Sequence, residues 1–202
     1  MIIIGSIVFG VAYLIGALPT GYWLAWYGFG VDITKHGSGN IGATNIGRIL
    51  GKQAFFLVFC IDAGKALGTL ALIQSLCNDQ ILLYGTSAVL LIGNACSPFL
   101  GWRGGKGVAT SFGIIAFFLP WIMTMSAMFI WIVLLVIFQQ AFFASLISFF
   151  LLFNVSLYNN LYHNMVNQST LLGYILLWLV IRHRSNIVFF FKRRWRLGSN
   201  KK

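Results

Sequence analysis

The chain has 202 residues, 59% of them hydrophobic and only 8% charged, with 14 Lys and Arg against 3 Asp and no Glu. That composition excludes a soluble globule, which needs more polar surface than this chain can supply. The net charge of +11 does not indicate nucleic acid, because the cations fall into three clusters separated by long uncharged stretches. This is the pattern of cytoplasmic loops in a multi-span membrane protein.

A helix needs roughly 20 apolar residues to cross the hydrocarbon core. Ile2 to about Gly30 supplies the first. It lacks a basic leader and a small-residue cleavage site, and reads as an uncleaved span. Gln53–Leu76 and Ile81–Leu100 give spans two and three. Lys35, Arg48 and Lys52 mark the first loop as cytoplasmic, the Cys77–Gln80 turn has no cation, and Arg103 and Lys106 mark the next loop as cytoplasmic. The N-terminus is therefore expected outside. No Lys or Arg occurs from Gly107 to Ile181, and eight follow between Arg182 and Lys202, so the C-terminus is expected in the cytoplasm.

If the polar stretch Asn159–Gln168 is an external turn before a last span from about Thr170, Val108–Tyr158 must cross an odd number of times. Three short helices, broken near Pro120 and near Gln139-Gln140, satisfy this. The expectation is an all-α polytopic transmembrane bundle of seven helices forming a single integral membrane domain over 1–202. Five helices plus a re-entrant or interfacial segment satisfy the same parity. Cys60, Cys77 and Cys96 support neither a disulfide framework nor a zinc site, and three Asp and three His form no metal-ligand pattern. No cofactor and no nucleic acid partner are expected.

Three polar segments carry the chemistry. The first loop reads DITKHGSGNIGATNIGR, from Asp32 to Arg48. Its Gly37-Ser38-Gly39-Asn40-Ile41-Gly42 matches the dinucleotide-binding spacing, but no strand precedes it, so the match is spurious. The local physics survives: Gly37 and Gly39 let backbone N–H groups converge on an anion, and Ser38, Asn40, Thr44, Asn45 and Arg48 add donors. The second segment is GWRGGKGVATSFG, from Gly101 to Gly113. It is not a Walker A loop, since Gly107 follows Lys106. Gly104, Gly105 and Gly107 still permit close backbone approach, Lys106 supplies charge, Thr110 a hydroxyl, and the following helix directs its positive end there. The third segment is His183-Arg184-Ser185-Asn186-Ile187, with His183 and Asn186 three apart on one face.

Two further positions are ambiguous. Asp62 and Lys65 share a helix face in span two, either as a structural pair or with Lys65 facing a ligand. Ser145 either donates to the same cavity or bonds back to its own helix.

GSGNIGATNIGR, DAGK, GGKGVAT and HRSNI, in this order over nearly the whole chain, resemble the bacterial membrane glycerol-3-phosphate acyltransferases that use acyl phosphate, the PlsY family. The resemblance implies a multi-pass inner-membrane enzyme with its motifs on the cytoplasmic face. It would make lysophosphatidic acid and inorganic phosphate, the first acylation in phospholipid synthesis. Catalytic roles are then expected for Lys106, His183, Asn186 and Ser38. Phosphate binding is expected of Gly37, Gly39, Asn40, Thr44, Asn45, Arg48, Lys65, Gly104, Gly105, Gly107, Thr110 and Ser145. The chain departs from the family pattern at Ala17 (usually Ser), Asn94 (His), Phe142-Phe143 (Arg-Tyr), Ser185 (Glu) and Gly198-Ser199-Asn200 (Gly-Thr-Glu). Soluble-facing acyltransferases with an H-x-x-x-x-D motif are excluded, because Ile41, Gln168 and Val188 stand where that Asp would be. A transporter for phosphate or a sugar-phosphate anion is the alternative from another class.

Overall fold

The computed structural model describes residues 2–163 and 166–199. Within them the chain is mostly helical, with loops at 36–42 and 101–107. The helices are α1 (Ile2–Ala17), α2 (Thr20–Trp23, prolonged by a π-helical turn Leu24–Gly28), α3 (Ala43–Leu50), α4 (Lys52–Leu76), α5 (Gln80–Ala95), α6 (Val108–Phe118), α7 (Trp121–Phe138), α8 (Ala141–His163), α9 (Val166–Arg182) and α10 (Arg184–Ser199). Among the described residues the only β pairing is an isolated bridge between Ser97 and Arg103. The dinucleotide-like spacing of the first loop therefore has no strand to serve.

The helix breaks have identifiable causes. Pro19 and Pro120 carry no N–H to continue a ladder and exclude the residue before them from helical geometry. α1 accordingly stops at Ala17 and α6 at Phe118. Between α7 and α8 the polar pair Gln139-Gln140 interrupts the run, with Gln139 at φ 53°. The polar stretch Asn159–Gln168, expected as the external turn, is helical through His163 and again from Val166, and positions 164 and 165 lie outside the described residues. Asn160 Nδ2 donates to Ser169 Oγ at 3.3 Å, so these polar side chains tie α8 to α9.

Four described stretches are long and apolar enough to cross a membrane: Gly5–Gly28, Lys52–Leu76, Trp121–Phe138 and Ala141–Asn160. Gln168–Arg182 with Arg184–Lys192, bent by 53°, makes a fifth. α6, with 11 residues, reaches about 16 Å at 1.5 Å per residue, roughly half the hydrocarbon thickness. A count of seven full crossings is therefore not carried by helix length.

The contacts divide the chain into two compact units, Met1–Thr124 and Met125–Lys202. In the first, small residues set the helix crossings, as expected where lipid rather than water surrounds the bundle. A Cβ on Gly93 would lie 2.9 Å from Ala17 N, and one on Gly16 would lie 3.0 Å from Leu90 Cα, so α1 and α5 approach at backbone distance. A Cβ on Gly113 would run into the Ala63 carbonyl, so α6 lies equally close to α4. In the second unit, Phe149, Leu171, Leu172 and Ile175 are buried, and the Phe153 ring packs beside Gly173.

Outward faces are apolar. Ile3, Ile7, Val11 and Leu14 make an exposed stripe along α1, and Trp121, Met125, Phe129, Ile132 and Val136 another along α7. In water such continuous patches would drive association; in a bilayer they face lipid.

Candidate active site

The first unit holds two of the three polar segments. The loop after α2 is organised by Asn45, 2% exposed on α3. Its Oδ1 accepts from Ser38 N at 2.9 Å, and its Nδ2 donates to His36 O at 3.0 Å and Asn40 O at 2.9 Å. One amide thereby ties down three backbone groups of a turn. Gly37 and Gly39 stand at φ 60° and 67°, where a β-carbon is disfavoured. At Gly37 a Cβ would also collide with Asn45 Oδ1. Asn40 Oδ1 accepts from Gly42 N at 3.0 Å, just ahead of α3. Ser38 and Arg48 are exposed, and Thr44 is half-buried in the first turn of α3. Asp32, at the outer edge of the loop, accepts from Thr34 Oγ1 at 2.6 Å. This hydrogen bond, helped by Lys35, holds its carboxyl below the ordinary carboxylate value.

Ile33, Ile41, Ala43 and Ile46 form an apolar cluster with Ala25, Ala54 and Val58, and Leu100 packs against it. Leu100 ends the short 3₁₀ turn before the glycine-lysine loop. The two loops are thus footed on one cluster.

The glycine-lysine loop is anchored to the end of α5. Gly105 N donates to Asn94 O at 2.8 Å. A Cβ on Gly104 would lie 2.7 Å from Ala95 C, and one on Gly105 would lie 2.7 Å from Asn94 Oδ1. Gly107, at φ 82°, caps α6, whose first N–H groups have no intrahelical acceptor. Asn94 Oδ1, Thr110 Oγ1 and Ser111 Oγ are buried without a hydrogen-bond partner. Buried polar atoms are normally paired, each orphan costing about 1–3 kcal/mol. Other such atoms, Thr86 Oγ1 and Ser156 Oγ among them, lie elsewhere, and these three cluster at one loop and the helix it starts.

Lys65 does something else. Its Nζ lies 2.9 Å from Asp62 Oδ1 and donates to Gly16 O at 3.1 Å and Leu18 O at 3.0 Å. An ammonium has three protons, and all three are spent. Thr20 Oγ1 donates to Asp62 Oδ1 at 2.6 Å. Of the two roles expected for Lys65, these contacts are those of the structural pair: it closes carbonyls left open where Pro19 ends α1.

In the second unit, His183 sits at the bend between α9 and α10, 3% exposed, with Nδ1 2.8 Å from Leu179 O. A carbonyl only accepts, so Nδ1 carries a proton in this contact. Asn186 follows on the first turn of α10, half-buried. Ser145 bonds back to its own helix, one of the two roles expected for it. Its Oγ donates to Ala141 O at 2.8 Å and accepts from Trp131 Nε1 at 3.0 Å, so it ties α8 to α7.

Residues 6–193 match the model of the glycerol-3-phosphate acyltransferase family. The chain belongs to that family. The glycerol-3-phosphate acyltransferase of a Synechococcus species is 41% identical over 138 residues, 67% of each chain. Glycerol-3-phosphate acyltransferase 1 of Deinococcus radiodurans is 50% identical over 111 residues, 54% of each. The matched parts thus span 54% to 67% of these relatives' length. Among solved structures, PlsY (YgiH), an integral membrane glycerol 3-phosphate acyltransferase in its glycerol 3-phosphate form, superposes with a TM-score of 0.81 at 30% identity. The match covers 94% of this chain and 93% of that one. The lysophosphatidic acid form of the same protein gives 0.80. The chain is an integral membrane protein of PlsY type.

Within this family setting, the departures have visible consequences. Ala17 has no side-chain hydroxyl, and its carbonyl accepts from Ser97 Oγ at 2.6 Å, tying the base of the glycine-lysine loop to α1. Phe142 and Phe143 stack at 4.2 Å and meet Phe190 of α10 at 6.0 and 4.7 Å, an apolar clasp. Ser97 and Ser111 are not singled out by the sequence, and Asn94 only as a departure from the family pattern. The only signal was a polar side chain inside or ending an apolar run.

Proposed function

We propose that this chain transfers a fatty acyl group from acyl phosphate to the 1-hydroxyl of glycerol 3-phosphate, releasing lysophosphatidic acid and inorganic phosphate. The observation that carries the reading is a glycine-lysine loop with orphaned buried hydroxyls, in a chain of this family. The bound glycerol 3-phosphate named for the structural neighbour supports the acceptor. The donor rests on the resemblance in the motifs. Nothing in the family match favours the transporter alternative.

An acyl phosphate is already activated, so the protein's work is positioning and charge stabilisation. Lys106, Thr110 and the backbone of Gly104, Gly105 and Gly107 hold one phosphoryl group. Ser38, Gly37, Gly39, Asn40, Thr44 and Arg48 contribute donors toward the two phosphoryl groups, with Asn45 shaping their loop. His183 and Asn186 orient the glycerol end. The 1-hydroxyl oxygen attacks the acyl carbonyl carbon, the bond from that carbon to the phosphate oxygen breaks, and phosphate leaves with the electron pair. The hydroxyl proton goes to His183 Nε2 or to a substrate phosphate oxygen. No cofactor is required.

In this reading the chain is one integral domain of the bacterial inner membrane, with seven helical segments, N-terminus outside, and loops and C-terminus cytoplasmic. The acyl chain is reached laterally from the bilayer. Replacing Lys106 with Ala tests it: transfer should be lost while the helical circular dichroism in detergent is retained. Full transfer by a folded Lys106→Ala variant would remove the loop from the mechanism.

A further inference from the structure

Between Ser97 and Arg103 the backbone closes on itself. Ser97 O accepts from Leu100 N at 3.1 Å and Trp102 N at 2.8 Å, Ser97 N donates to Arg103 O at 3.3 Å, and Ser97 Oγ donates to Ala17 O at 2.6 Å. The result is a stiff turn rooted on α1. Leu100 points to the apolar cluster, while Phe99 and Trp102 are 49% and 68% exposed and Arg103 is exposed.

Gly101 and Trp102 both lie in the left-handed region, at φ 60° and 63°. Glycine adopts it freely. A bulky side chain there sets its β-carbon against the following carbonyl. Glycine or asparagine at 102 would make the same turn with less strain, and the Trp102 ring, two-thirds outside the protein, gains little from internal packing. The hydrogen bonds of the turn hold that conformation, and the ring is left to make its own contact outside the protein.

Its chemistry can be read from the neighbours. The turn follows α5, an apolar helix of a membrane protein, and sets two exposed aromatic rings beside a guanidinium. Amphipathic rings and cations at a span end match the headgroup zone, where an indole buries its body in acyl chains and keeps its N–H wet, and an arginine meets lipid phosphate. We propose that Trp102, with Phe99 and Arg103, is a lipid-interface anchor that sets the depth of the Gly104–Gly107 loop at the membrane surface. Gly104 is two residues away, so a displaced anchor moves the loop directly. The inference does not depend on the acyl-transfer reading.

The test uses the full chain reconstituted in bilayers of phosphatidylcholine and phosphatidylglycerol brominated near the headgroup or deep in the acyl chain. The chain has seven tryptophans, so the emission of Trp102→Phe subtracted from wild type isolates one ring. That difference signal should be quenched at least twofold more by the shallow bromines than by the deep ones, and be little affected by aqueous iodide. Quenching by iodide with no response to either lipid, or stronger quenching by deep bromines, overturns the proposal. If the Phe variant proves unstable, Trp102→Tyr gives the same subtraction while keeping an amphipathic ring. A Trp102 signal that changes only with protein concentration, as contact with a second copy would give, also overturns it.

Discussion

Lys65 and Asn45 show how a polar residue of this chain can be engaged by the protein itself. Both lie among the glycine-rich and polar motifs, and both have several partners within the chain. Lys65 answers Asp62 and two carbonyls of the α1 end, 49 and 47 residues away. No local pattern discloses such partners. Lys65→Met should destabilise the protein by about 3–5 kcal/mol, the usual cost of stranding one member of a buried pair. Asp62→Leu with Lys65→Met should recover part of that, read as melting temperature in detergent. Equal stability of the single variant and wild type would leave ligand binding, rather than structure, as the role of Lys65. Asn45→Ala removes three part-buried hydrogen bonds, each worth about 0.5–1.5 kcal/mol. It should unfold the first loop locally, seen as faster amide exchange at Ser38. Asp32 gives a pH handle on the same loop. Its lowered carboxyl contributes stability above the ordinary carboxylate pKa that is lost as pH falls through the lowered native value. Thr34→Val removes the main cause, and the Asp32 titration followed by NMR should move up toward the ordinary value.

Element boundaries were readable where a single residue imposes them. Pro120 ends α6 for covalent reasons, and Gln139-Gln140 is a polar pair in a run that is otherwise apolar, so both breaks stand where expected. α8 ends and α9 begins inside Asn159–Gln168, but the helices reach further into that stretch than a polar turn would suggest. Here Asn154 Nδ2 donates to Phe150 O at 2.8 Å and Asn160 Nδ2 to Ser169, so the amides serve helices instead. The glycine-lysine loop was legible because three glycines around a cation have few other uses. Its clamp, Asn94, was hidden because one amide in a hydrophobic run carries no distinctive spacing. Glycines divide sharply by element contact. A β-carbon on Gly113 meets the backbone of Ala63, which cannot move aside, whereas one on Gly64 meets nothing within 4 Å. Gly113→Ala should separate α6 from α4, with lower melting temperature and activity. Gly64→Ala should be neutral or stabilising by up to about 1 kcal/mol, the helix propensity gain. A tolerated Gly113→Ala would contradict the close crossing.

For the whole molecule, an all-helical membrane fold followed from composition, because so few charges cannot clothe a globule. The number of crossings did not follow, since hydropathy counts apolar runs and not their fate: α6 is helical and buried yet only half the length of a span. Reporter cysteines placed singly from Pro120 to Met125, in a background lacking Cys60, Cys77 and Cys96, separate the arrangements. Seven crossings require labelling from outside, and labelling only from the cytoplasmic side would leave the five-helix alternative with an interfacial segment. Function rests on a narrower point, the identity of the donor. Purified protein incubated with glycerol 3-phosphate and acyl phosphate should release inorganic phosphate and 1-acylglycerol 3-phosphate in equal amounts, with both absent for Lys106→Ala. Failure to consume acyl phosphate while acylating glycerol 3-phosphate from acyl-coenzyme A, or movement of glycerol 3-phosphate across sealed vesicles without acylation, would contradict it.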